Sequence, residues 1–228
     1  MLETLSELET DALTELVNVS VSKAAVTLSR MVHGGVSLSV PKVRVVPRNA
    51  AAAALTARTE EQLVAVGEEF QGSFSGSAVM VFPVSNSLEL VRAVLPHMAD
   101  LDEIIEMEQE ALSEIGNILI NSCLSTLANM LHQRITTSLP QVIYGAASDI
   151  LAYGGNGESD LVMIFHVDFM MKERGIHGFI LIVMSVSSLM ALRACVATLL
   201  APYVDADVAP SVVSPTIDIG QPAANRRE

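Results

Sequence analysis

One pattern of eight residues occurs twice in this chain, 99 residues apart. Residues 11–18 read Asp-Ala-Leu-Thr-Glu-Leu-Val-Asn, and residues 110–117 read Glu-Ala-Leu-Ser-Glu-Ile-Gly-Asn. In each copy a proline follows the Asn after 22 intervening residues, Pro41 after Asn18 and Pro140 after Asn117. A repeat at fixed spacing constrains the architecture before any single element is assigned. The period is too long for a solenoid, and two copies are too few for a propeller. The pattern therefore predicts a tandem duplication, with units at about 1–99 and 100–204 that together build one domain over 1–204.

Helical geometry gives the pattern its chemistry. Residues four and seven apart return to one face of a helix. Asp11, Glu15 and Asn18 thus share a face, and so do Glu110, Glu114 and Asn117. The opposite faces are apolar: Leu13, Leu16, Val17, Ala24 and Leu28 in the first helix, and Leu112, Ile115, Leu119, Cys123 and Leu127 in the second. Each helix has one stripe to bury and one polar stripe to present. In a single copy, a Glu three residues before an Asn is ordinary solvated surface. Recurrence of both at the same distance from a proline is what marks them as a site.

Several function classes are excluded on composition. The net charge is −13, and a nucleic-acid partner would require a basic face. Cys123 and Cys195 lie in apolar helical patterns with no Cys/His ligand spacing, which reads as two buried free thiols and no metal site. The acidic start lacks an apolar signal core, and the chain is expected to be cytoplasmic. Gly175–Leu192 carries no Asp, Glu, Lys or Arg and approaches the length of a membrane span. Ser185, Ser187 and Ser188 punctuate it, so it reads as a buried strand turning into a helix.

The expected elements follow the repeat. Residues 7–33 form a long helix that stops near Gly34-Gly35. Extended segments follow at 37–41 and 42–46, with Pro41 forcing a break. Residues 47–61 are either a loop or a short helix. Strands at 63–70 and 73–82 join near Gln71-Gly72, and a helix at 85–95 is capped by Ser85 or Asn86. In the second unit a long helix covers 101–131, and 139–148 is extended around Pro140. Residues 149–160 are a Gly-rich connection. Strands at 161–170 and 176–184 turn at Lys172–Gly175, and a helix closes the unit at 187–200. The fold class is α+β: helix–strands–helix twice, an antiparallel sheet with packed helices and pseudo-two-fold symmetry. Residues 205–228 are rich in Pro, Ala, Asp and Ser and read as a disordered tail.

The doubled pattern (Asp or Ser)-x3-Glu-x2-Asn-x22-Pro resembles the CheC/CheX/FliY family of chemotaxis phosphatases. Glu-Ile-Gly-Asn-Ile at 114–118 and Ser-Val-Pro-Lys-Val at 39–43 look like that family too. The resemblance covers roughly 5–203. Two tandem copies without a rotor-switch domain make it most similar to the free-standing CheC type. Glu110 departs from the family's usual Asp or Ser, and Val17 stands beside Asn18 where Gly116 stands beside Asn117.

The resemblance implies a substrate and roles. The substrate is the aspartyl phosphate of a CheY-type response regulator, which brings its own magnesium ion and lysine. The protein needs no cofactor or metal of its own. Asn18 and Asn117 position the attacking water, Glu15 and Glu114 pair with the regulator's lysine, and Asp11 and Glu110 assist docking. Pro41 and Pro140 are structural. CheD, the receptor deamidase, is a further partner of CheC-type proteins. The alternative is a non-enzymatic adaptor that docks a receiver domain, CheD or the flagellar switch through the same surfaces. A further feature stands outside the motif. Twelve of the 26 acidic residues lie within 1–18 and 100–117, windows free of Lys and Arg. Such bands are expected to draw in a partner with a basic rim.

Overall fold

The structure is a computed structural model that describes residues 5–31, 35–39, 43–57, 62–94, 101–153, 161–171 and 174–206. In chain order the elements are α1 (Glu7–Met31), β1 (Val36–Ser39), β2 (Val43–Pro47), α2 (Arg48–Thr56), β3 (Leu63–Gly72), β4 (Gly76–Pro83) and α3 (Val84–Val94). These are followed by α4 (Leu101–Met130), β5 (Ile135–Thr137), β6 (Gln141–Gly145), α5 (Ala147–Ala152), β7 (Leu161–Met171), β8 (Arg174–Met184) and α6 (Val186–Ala206). The strands form one antiparallel sheet in the order β1-β7-β8-β4-β3-β5, with β2 also pairing β7 and β6 also pairing β3. The fold is a mixed α+β architecture with helices packed on an antiparallel sheet.

Both faces of the sheet are covered, which explains why its central strands are apolar throughout. Val64, Val66, Phe70, Met80, Phe82, Met163, Phe165, Ile180 and Ile182 point to the side of α1, α3, α4 and α6. Leu63, Ala65, Val79, Val81, Val162, Ile164, Leu181 and Val183 point the other way, onto Ala51 and Leu55 of α2 and Ile150 and Leu151 of α5. The uncharged run at 175–192 divides into β8 and the first turns of α6. No helix among the described residues is long and apolar enough to cross a membrane.

The halves of the chain interleave. The middle of the sheet is β4 against β8, with Val79 opposite Leu181. The outer strands of each half pair with the hairpin of the other: β1 and β2 with β7, β5 and β6 with β3. The registers correspond as well. Val36 pairs with Met171 and Ile135 with Gly72; Ile135 stands 99 positions after Val36, and Met171 stands 99 after Gly72. Pro140 lies between β5 and β6, so the outer strand breaks there. A proline has no N–H to give to a ladder. Pro41, Gly34, Glu3, Lys172 and residues 207–228 lie outside the described residues.

Several expectations change. Residues 48–56 are helical because Ala51 and Leu55, four apart, bury on the sheet. Residues 147–152 are a helix rather than part of a connection, with Asp149 accepting the Ala146 N–H at 3.1 Å. The β3–β4 turn is at 73–75, not at Gln71-Gly72, and β4 starts at Gly76, where an added Cβ would meet the Val183 carbonyl at 2.2 Å. The third helix begins at Val84, one residue before the expected cap. The Val84 N–H is satisfied by the Gln62 carbonyl at 3.0 Å.

Candidate functional site

The two long helices carry all six of the residues singled out by the repeat. On α1, Leu13, Leu16, Val17, Val21, Ala24 and Leu28 are buried, while Asp11 and Glu15 are exposed and Asn18 is half-buried. On α4, Leu112, Ile115, Leu119, Leu124 and Leu127 are buried, while Glu110 and Glu114 are exposed and Asn117 is half-buried. Within each copy the helical spacing brings two carboxylates and an amide onto one presented face. Val17 does not crowd Asn18: it is 6% exposed and turned into the core. Gly116 faces the sheet instead. A Cβ there would sit 2.4 Å from Val66 Cγ1, so the glycine lets α4 lie directly on β3.

This close approach brings three unanticipated residues to Asn117. The Asn121 Nδ2 donates to Asn117 Oδ1 at 2.5 Å, and the Thr137 hydroxyl donates to Asn121 Oδ1 at 3.0 Å. Beneath them lies Glu68 of β3, which is 0% exposed and whose two carboxylate oxygens make no hydrogen bond of normal geometry. Burial pushes its carboxyl up to about 7, partly offset by the neighbouring Asn121 amide. Glu68 lies opposite the break between β5 and β6; the flanking Glu69 exchanges two hydrogen bonds with Ser138 there.

Sequence carried faint signals for these residues. Asn121 is one turn after Asn117, and Glu68 is an acid at an inward position of the strand Leu-Val-Ala-Val-Gly-Glu-Glu-Phe. Neither belongs to the repeat. At the corresponding positions of the first copy stand Ser22, Leu38 and Val167. Asn18 has no side-chain hydrogen bond among the described residues. The two copies therefore differ: the amide of Asn117 is held from behind, and that of Asn18 has no such side-chain bond among the described residues.

Two acids of the charged bands serve the fold. Glu9 Oε1 accepts from Arg193 Nε of α6 at 3.0 Å, and Glu108 Oε1 accepts from the Ser87 hydroxyl of α3 at 2.5 Å. Glu7, Asp11, Glu15, Asp102, Glu106, Glu110 and Glu114 are exposed. Cys123 is buried, and burial pushes its thiol up to about 12, whereas Cys195 is only half-buried. Among the described residues no three His, Cys, Asp or Glu side chains gather to hold a metal.

Comparison with known proteins adds three findings. Residues 107–144 match the CheC-like family, a stretch that contains Glu110, Glu114, Asn117, Asn121, Thr137 and Pro140. The flagellar motor switch phosphatase FliY of Bacillus subtilis is 28% identical over 141 residues, covering 60% of this chain. The match spans 36% of that relative's length. Among solved structures, Thermotoga maritima FliY superposes with a TM-score of 0.68 at 19% identity, over 86% of this chain and 99% of that one. The middle domain of H. pylori FliM superposes with a TM-score of 0.56 at 10% identity, over 84% of this chain and 99% of that one.

Proposed function

We propose that this chain, a CheC/FliY family protein, hydrolyses the aspartyl phosphate of a CheY-type response regulator. The observation that carries the reading is the paired Glu and Asn on an exposed helix face, present on both α1 and α4. The phosphatase FliY of B. subtilis supports the activity by its relatedness. In the reaction a water oxygen forms a bond to phosphorus as the bond to the aspartyl oxygen breaks. The products are a free Asp carboxylate and inorganic phosphate, and the water's proton leaves with the phosphate. Such a transfer requires positioning and charge stabilisation more than covalent help. An Asn amide does not titrate usefully, but it both accepts and donates hydrogen bonds. Asn18 and Asn117 therefore hold the water in line, Glu15 and Glu114 pair with the regulator's lysine, and Asp11 and Glu110 meet the docking partner's rim. Magnesium belongs to the regulator.

The structural likeness to FliM favours a second reading, a switch or receiver-domain adaptor without catalysis. The decay of a phosphorylated receiver domain in magnesium separates the two. Wild type accelerates decay, Asn18→Ala and Asn117→Ala each retain part of the activity, and the double variant loses nearly all of it while still binding. An unaltered decay rate with a wild type that binds the receiver domain would favour the adaptor reading. Undiminished acceleration by the double variant would remove the water-positioning role.

A further inference from the structure

We propose that Asn121, backed by the buried Glu68 carboxyl, is a positioning residue that fixes the amide of Asn117, making the second copy of the motif preorganised and proton-sensitive where the first is neither. The inference rests on the water-positioning reading of Asn117 for its consequence in catalysis, but not for its geometry. The Thr137 hydroxyl occupies Asn121 Oδ1, so the Asn121 amide presents its nitrogen to Asn117. One N–H of that nitrogen goes to Asn117 Oδ1. The second is left for Glu68, which has no other partner of normal geometry. Asn117 then has one lone pair and both of its own N–H groups for a water and a phosphoryl oxygen.

The protonation state of Glu68 decides whether this arrangement holds. An ionised carboxylate attracts the second Asn121 N–H and so holds the amide nitrogen on Asn117 Oδ1. The protonated carboxyl has an O–H to donate. It competes with Thr137 for Asn121 Oδ1 and turns the nitrogen away from Asn117. The groups facing this stretch are few. From α4 they are Asn117, Asn121 and the exposed Glu114. From β4 there is Ala78, opposite Glu68, and from the β5–β6 break there are Thr137 and Ser138. On the far face of the sheet are Glu69 and the Tyr153 phenol. Burial and the charges of Glu69 and Glu68 push that phenol up, and Ser138 offsets part of the rise. No basic side chain among the described residues contributes to Glu68. Its carboxyl titrates near 7, so the locked form prevails above neutrality.

The test follows the side-chain amide resonances of Asn18, Asn117 and Asn121 in the full chain by nitrogen-15 NMR across neutral pH. The Asn117 and Asn121 signals are expected to shift together with one midpoint near 7, while Asn18 stays still. Glu68→Gln should abolish the shift. Asn121→Ser, which installs the residue found at position 22, should abolish it for Asn117 and serves if the first variant does not fold. Static Asn117 signals in wild type, or an unchanged titration in either variant, overturn the proposal. A parallel arm measures receiver-domain dephosphorylation in an Asn18→Ala background. There, Asn121→Ser slows decay by about tenfold, as a misplaced catalytic group does, and Glu68→Gln flattens the fall in rate below neutral pH. Wild-type rates in the Asn121→Ser variant overturn the positioning role. A chain whose amides titrate but which never accelerates decay keeps the inference and refutes the phosphatase reading.

Discussion

Glu68 shows how far a single side chain can work against the fold that contains it. Its folded pKa, near 7, lies above that of an exposed carboxyl, so the folded chain binds the proton more tightly than the unfolded chain. Stability is then greatest below the unfolded value and declines as pH rises toward 7, where the charge must be carried inside. At about 1.4 kcal/mol per pKa unit, the rise from 4.5 to about 7 makes the penalty on the order of 3–4 kcal/mol above neutrality. Glu68→Gln is expected to raise the unfolding free energy by about 2 kcal/mol near pH 8 and to change it little near pH 5. Denaturant titrations at the two pH values check this, and an equal effect at both would mean that the carboxyl does not titrate in the fold. The six residues of the doubled motif stand out in the sequence because each has a counterpart 99 positions away. Glu68, Asn121 and Thr137 do not, because they come from β3, α4 and β5 and meet only when α4 settles on the strand at Gly116.

Among the elements, α1 has the best-defined start. The Ser6 N–H donates to Glu9 Oε2 at 2.7 Å, and the Glu9 N–H donates to Ser6 Oγ at 3.2 Å, a reciprocal cap at the head of the helix. Burial alone would raise the Glu9 carboxyl, but its bonds from Ser6 and the Arg193 guanidinium hold it below the ordinary range. One carboxylate thus closes the start of α1 and ties it to α6. Ser6→Ala is expected to cost about 1 kcal/mol, seen as a lower denaturant midpoint at unchanged slope. The far end of α4 closes differently. His132 takes a positive φ of 54°, and the Gln133 N–H donates to the Ala128 backbone carbonyl at 2.8 Å. The long helices were readable from their periodicity, and the central strands from short apolar runs bounded by turn residues. α5 was not, since six residues give too little pattern and Tyr153, which anchors it under Gly67, lies just beyond. α2 remained ambiguous because a run of alanines has no contrast between faces.

At the scale of the whole molecule, charge and topology each have a consequence. The acids left over from structural duty remain exposed along α1 and α4, ahead of each Asn. Exposed charges act through a screening length of about 8 Å at physiological salt and affect association rate more than affinity. Glu7→Gln with Glu106→Gln should lower substrate capture roughly threefold at low salt and leave turnover at saturation unchanged. Identical salt dependence in the variant and wild type would show that the bands do not steer. The interleaved sheet acts on the chain earlier, during its synthesis. When the ribosome has made residues as far as Pro83, β4 has no β8, β3 has no outer strand beside it, and β1 and β2 have no β7 to join. At about 5–20 residues per second, the roughly 100 residues still to come take on the order of 5–20 s. Through that interval the nascent first half holds open strand edges and an uncovered apolar face. Exposed apolar surface and unpaired strand edges are what make a folding chain prone to aggregate, and here both persist until the second half is made.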